Sequence, residues 1–211
     1  MLDARACSPG AQAFQAARCL APRSALQQAC LALTGQEGYL LAGTHAVHGT
    51  DAPLIDPDQP ERAQEAQSCG ADPALAAFGL GLSRVAARPA TALSPELAQV
   101  FVALRLGLLA RILDLSYRHL EPRQAFGQRL LHQPLIKAQF SKSGAFVSQV
   151  QEELEQGGEI ATTRLHDQID QHGQQAAKLM GGHGFRAGEV NGLEYLSGLL
   201  RATLTPVAER G

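Results

Sequence analysis

The sequence predicts a mainly helical protein: an antiparallel four-helix bundle over residues 94–211, preceded by a short irregular region of mixed helix and strand over residues 1–93. Three observations carry this. From residue 94 onward, apolar residues recur at helical spacing in four long stretches. The connections between those stretches are short, which favours antiparallel neighbours. Before residue 94 the apolar runs are brief, and residues 51–73, "DAPLIDPDQPERAQEAQSCGADP", hold four of the eleven prolines, the mark of a loop-rich segment.

In chain order, Phe14, Ala17 and Leu20, then Leu26, Ala29 and Leu33, fall at helical spacing over residues 11–33, with Pro22 as an interruption. Residues 38–49, "GYLLAGTHAVHG", read as a strand, a Gly-Thr turn and a second short strand; a plain loop fits a run this short equally well. The segment starting at Ser94 has the best helix start in the chain. Ser94 can cap, Pro95 lacks the N–H that a first helical residue does not need, and Glu96 meets the positive end of the helix dipole. Leu97, Phe101, Leu104, Leu108, Ile112 and Leu115 form one stripe, and Val100, Val102, Leu106, Leu109 and Leu113 cover much of the remainder. A helix apolar on several sides belongs inside a bundle or an oligomer interface. Pro122 then forces the chain out of the helix.

A second bundle helix is predicted from Pro134 to the Gly157-Gly158 break. A third carries Ile160, Leu165, Ile169, His172, Ala176 and Leu179 and stops at Gly181-Gly182. A fourth shows Leu193, Leu196, Leu199 or Leu200, and Leu204.

Composition narrows the function. A 45% hydrophobic and 18% charged chain of net charge −2, with no long run of either sign, argues against recognition of nucleic acid or a membrane surface by charge. Cys7, Cys19, Cys30 and Cys69 match no zinc spacing and read as reduced thiols of a cytoplasmic protein. The N-terminus lacks the apolar core of a secretory signal, and no apolar run is long enough to span a bilayer. Dinucleotide, P-loop, nucleophile-elbow and HExxH patterns are all missing from the sequence. His45, His48 and Asp51 have a spacing that can serve a metal, but loop histidines are more often solvated, and no metal is expected.

Two helix ends remain. In "RQAFGQ", residues 123–128, Arg123 offers planar donors for phosphate or carbonyl oxygens, Phe126 a face for a flat ring, and Gly127 an open backbone. In "KLMGGHGF", residues 178–185, the glycines again permit close approach. Taken singly, these are a surface cation, a core plug and a helix cap. Taken together and in order, "ARILDLSYRHLEPRQAFGQRLLHQPLIKAQ" and "AAKLMGGHGF" resemble the C-terminal helical domain of the acyl-CoA dehydrogenase family, over roughly residues 94–205. There one helix ends in Arg-x-x-Phe-Gly and a later one in Gln-x-x-Gly-Gly-x-Gly-Phe.

The resemblance implies an FAD held at a subunit interface, with Arg123, Phe126, Gly127, Gly181 and Gly182 against its adenosine diphosphate part. Lys178 stands where the family has Gln; it can meet a pyrophosphate as a point charge but cannot accept a hydrogen bond. The resemblance also implies a middle β-domain, of which "EGYLLAGTHAVHGTDAPLI" is the recognisable fragment, and a catalytic carboxylate, for which Glu209 lies at about the right distance. Three functions follow from it. The chain is an FAD-dependent dehydrogenase that desaturates an acyl thioester, or a non-catalytic subunit that completes the flavin site of a full-length acyl-CoA dehydrogenase, or a helical scaffold that has lost flavin. All three predict a homo-oligomer or heteromer.

Overall fold

The computed structural model describes residues 8–62, 64–85, 93–125, 127–156, 161–181 and 189–204. Phe126, Gly182 and Glu209 lie outside the described residues.

The chain is mainly helical. It opens with α1 (Pro9–Cys19), capped by the Ser8 hydroxyl, and α2 (Pro22–Thr34), which ends at Gly35 in the left-handed conformation. The predicted interruption is a complete break. Pro22 starts α2, where its missing N–H costs nothing.

Short strands follow: β1 (Tyr39–Leu40), β2 (His45–His48), β3 (Leu54–Ile55) and β4 (Ala66–Ser68), then the one-turn helix α3 (Pro73–Ala76) and β5 (Gly81–Val85). The expected strand, turn and strand are present over residues 39–48, but the two strands do not pair as a hairpin. β1 runs parallel to β3, whereas β2 and β4 flank β5 on either side, both antiparallel to it. The reason lies between them. The backbone at Gly43 crosses the end of the last helix so closely that a Cβ there would run into the carbonyl oxygen of Thr203, so this stretch is bent over a helix end rather than closed as a tight turn.

Four long helices complete the chain: α4 (Pro95–Leu120), α5 (Pro134–Gln156), α6 (Thr162–Leu179) and α7 (Glu189–Thr203). Between α4 and α5 lies a small hairpin, β6 (Gln124–Ala125) and β7 (Gln128–Arg129), turned by Gly127 at φ +76° and followed by a 3-10 turn. The start of α4 follows the predicted chemistry, with the Ser94 hydroxyl accepting from the Leu97 N–H and Pro95 opening the helix.

α4 is the central element, and α1, α2, α5, α6 and α7 all pack on it. Its directions relative to its neighbours can be read from contacts. Arg105 meets His166 and Asp170 while Ser116 meets the Ala176 carbonyl, so α4 and α6 run parallel. Gln139 bonds to Gln175 and Ser143 to His172, so α5 runs against α6. Arg201 pairs with Asp167 and Asp170, whereas Glu194 feels the charge of Lys178, so α7 also runs against α6. Consecutive helices from α4 to α7 therefore alternate in direction. One continuous set of buried apolar side chains runs from Ala13 on α1, through Tyr39, Leu75 and α4 from Leu97 to Leu113, to Leu200 on α7.

Among the described residues no helix is long and apolar enough to cross a membrane. Cys19, Cys30 and Cys69 form no disulfide. His48 has both ring nitrogens engaged, with the Gly49 carbonyl and the Ser83 hydroxyl, and Asp51 is engaged by Arg23, Tyr39 and Gln27. Hydrogen bonds thus already occupy these groups. No cluster of metal-binding side chains occurs among the described residues.

Candidate functional site

The parallel run of α4 and α6 decides where the two sequence motifs sit. Ser116, one turn before the end of α4, donates to the carbonyl of Ala176, one turn before the end of α6, at 3.3 Å. Both helices therefore finish at the same pole of the molecule. The hairpin with Arg123 and Gly127 leaves one end, and Lys178 and Gly181 close the other. The first turns of α5 arrive at that pole too, since Phe140 packs edge-on against Tyr117 with ring centroids 5.9 Å apart.

The hairpin is fixed by local bonds. The Arg123 N–H donates to the Leu120 carbonyl, and the Leu130 N–H to the Arg123 carbonyl. Gly127 and Gly181 both have positive φ, +76° and +56°, which an L side chain rarely adopts, and among the described residues no atom beyond their chain neighbours lies within 4 Å of where a Cβ would stand. The backbone is consequently open to a ligand from outside at both turns. Arg123, Gly127, Lys178 and Gly181 are exposed. Neither Arg123 nor Lys178 forms an ion pair among the described residues.

Charge gathers at this pole. Between Tyr117 and Lys137 the chain carries Arg118, Arg123, Arg129 and Lys137 against Glu121 alone, all of them exposed, and Lys178 adds to them from α6. The carbonyl ends of α4 and α6 disfavour an anion there, but these cations offset them, and the α5 N-terminus contributes positive partial charge. A guanidinium, an ammonium and two open glycine turns form a donor set that fits a pyrophosphate approached from outside. Apolar surface lies beside it, with Leu135 86% exposed and Tyr117 half exposed.

The register that brings the two motifs together is held by a buried polar cluster that sequence reasoning missed. Arg105 lies in the middle of α4 and is fully buried. Its Nε donates to the carbonyl (2.9 Å) and hydroxyl (3.2 Å) oxygens of Ser197 on α7. One terminal nitrogen donates to His166 Nδ1 at 2.8 Å, and the other pairs with Asp170, both on α6. Arg201 of α7 closes the cluster on Asp170 and Asp167. One side chain thus binds three helices. The signal was available as a lone guanidinium inside "VALRLGLLA", an otherwise apolar stretch where no charge belongs without partners.

Because arginine can only donate, His166 Nδ1 must accept, which leaves the proton on Nε2 and the ring neutral. Burial, with the Arg105 and Arg201 charges adding to it, pushes the His166 pKa down to about 4 from an ordinary 6.5. A histidine lowered in this way contributes stability that is complete above about pH 6.5 and is lost as the pH falls toward 4. The loss should approach about 3 kcal/mol. Urea unfolding of the protein and of His166→Gln across this range should show a shallower pH slope in the variant; parallel slopes would mean that His166 carries no such linkage.

No family model matches the sequence, and no curated protein matches it. Solved structures are similar to it. The Tcur3481-Tcur3483 steroid ACAD variant aligns at 17% identity and TM-score 0.48, over 78% of this chain and 52% of that one. The prolyl acyl carrier protein oxidase AnaB aligns at 12% identity and TM-score 0.40, over 93% of this chain and 73% of that one. This chain therefore spans about half the length of the steroid acyl-CoA dehydrogenase chain. The first of these is an acyl-CoA dehydrogenase, the family that the two motifs resemble.

Proposed function

We propose that this is an acyl-CoA dehydrogenase-like protein in which α4 to α7 form the family's C-terminal antiparallel four-helix bundle. At the shared pole of α4 and α6, Arg123, Phe126, Gly127, Lys178, Gly181 and Gly182 contact an FAD across a subunit interface. The observation that supports this reading is the convergence of Arg123 and Gly127 with Lys178 and Gly181 on one exposed, cationic pole, although 49 residues separate the two motifs in sequence.

Each residue has a role that its chemistry allows. Arg123 presents paired N–H donors to phosphate oxygens, Lys178 adds a point charge, and Gly127 and Gly181 keep side chains out of the approach. Phe126 supplies a flat apolar face. Bound FAD would serve as hydride acceptor in the α,β-desaturation of an acyl thioester. Glu209 is the proposed base that removes the α-proton, and Glu209→Gln tests it through turnover with an acyl-CoA.

One feature favours a second form of the same reading. Arg123, Gly127, Lys178 and Gly181 face outward rather than into a cleft of their own chain, as suits a contribution to a flavin held mainly by a neighbouring subunit. The chain is then either one half of a homo-oligomeric dehydrogenase or a non-catalytic subunit of a full-length one.

Titrating the purified chain with FAD, while following absorption and molecular mass, distinguishes these forms. Saturable uptake with formation of a dimer supports the homo-oligomer. Uptake only in the presence of a full-length acyl-CoA dehydrogenase supports the subunit. Arg123→Ala should weaken FAD binding about tenfold or more, the effect of losing charge-assisted hydrogen bonds. Unchanged affinity in an Arg123→Ala, Lys178→Ala double variant would exclude the pole as the flavin contact.

A further inference from the structure

Between α4, α6 and α7 lies an open cavity of about 260 Å³. One wall is apolar, formed by Leu109, Ile112 and Ile169, and the polar groups facing it are Asp170, Gln174, Glu194, Ser197 and Arg201, the last paired with Asp170 and Asp167. Two glycines make the room: Gly173 inside α6 and Gly198 inside α7. Neither has the positive φ that would require glycine, and among the described residues a Cβ at either would meet no atom of another element within 4 Å. Glycine within a helix costs about 1 kcal/mol relative to alanine. Backbone conformation and close helix approach therefore both fail to explain these residues, and their structural effect is to leave space.

Charge accounting shows what suits that space. Arg105 and Arg201 are met by Asp170 and Asp167. Glu194 forms no ion pair among the described residues. Burial raises its pKa, the nearby Asp170 raises it further, and Lys178 at the end of α6 partly opposes them. The cavity thus combines a hydrophobic wall with one carboxylate, Glu194, that has no ion pair among the described residues.

We propose that this cavity binds a small organic cation, a primary alkylammonium whose nitrogen is held by Glu194 and whose carbon chain lies on Leu109, Ile112 and Ile169. The Gln174 amide oxygen is available as a further acceptor, and the volume suits a ligand of metabolite size. The site requires no flavin and stands apart from the reading of the α4/α6 pole.

The test uses the full chain with labelled isoleucine methyl groups and three probes of equal length: n-butylammonium, n-butyrate and 1-butanol. Saturable shifts of the Ile112 and Ile169 methyl signals are expected with n-butylammonium, and markedly weaker responses with the other two. Glu194→Gln, which keeps the shape and removes the charge, should weaken n-butylammonium about tenfold or more. Gly198→Val should abolish binding by filling the cavity, with circular dichroism confirming the fold; if that variant does not fold, Glu194→Gln decides. No saturable shift with n-butylammonium overturns the proposal. An equal response to 1-butanol, or full affinity in Glu194→Gln, overturns it also and leaves a merely apolar cavity.

Discussion

Arg105→Ala is expected to lose about 3–5 kcal/mol of stability, seen as a large drop in the urea midpoint. The truncation opens a cavity in the most buried part of α4. It also strips donors from the buried Ser197 oxygens and His166 Nδ1. Asp170 keeps Arg201, so its charge is not abandoned altogether, and this places the loss within that range rather than above it. Arg105→Met refills much of the volume but none of the hydrogen bonds, and should fall between alanine and the parent. A loss below about 1 kcal/mol in Arg105→Ala would mean that the cluster contributes little net stability, as some buried ion pairs do. The distinction reaches the proposed flavin contact, because the same cluster sets the register of α4 against α6.

Gly107→Val is the other change with a large expected effect. α1 crosses α4 at Gly107 so closely that a Cβ would stand 2.7 Å from Ala17 Cβ and press on the backbone carbonyl of Phe14. Backbone cannot rotate away as a side chain can, so α1 must lift. Overpacking of this kind costs about 1–3 kcal/mol, and a clash against backbone belongs at the upper end. The signature would be local as well as global: amides of α1 should exchange with solvent much faster in Gly107→Val, while those in the middle of α4 keep most of their protection. Equal loosening throughout would show that α1 and α4 do not separate as units.

The long helices were legible because their boundaries are written in local chemistry. Ser94 with Pro95, the proline at 134 and Gly181 mark starts and stops that need no knowledge of the rest of the chain. The strands were less legible. β5 pairs with β2 from far upstream, and β1 finds a parallel partner in β3, choices that two- to five-residue segments cannot encode by alternation alone. For the site, the motifs indicated which residues to watch, but their meeting at one pole depends on α4 and α6 running parallel. Arg105 escaped notice because its partners are shared between α6 and α7, and no single window of sequence contains them.

The contact of α1 with α4 also bears on how the protein comes to be folded. Phe14 and Ala17 pack against α4 at Gly107, so on a ribosome α1 has emerged long before the central helix that receives it. Until α4 is made, α1 can pack only against α2, and its docking on α4 must close a long loop. Assembly of the core therefore waits on synthesis of the central helix. Over that interval Phe14 and the alanines around it are the surface on which a chaperone, or an unwanted neighbour, can act.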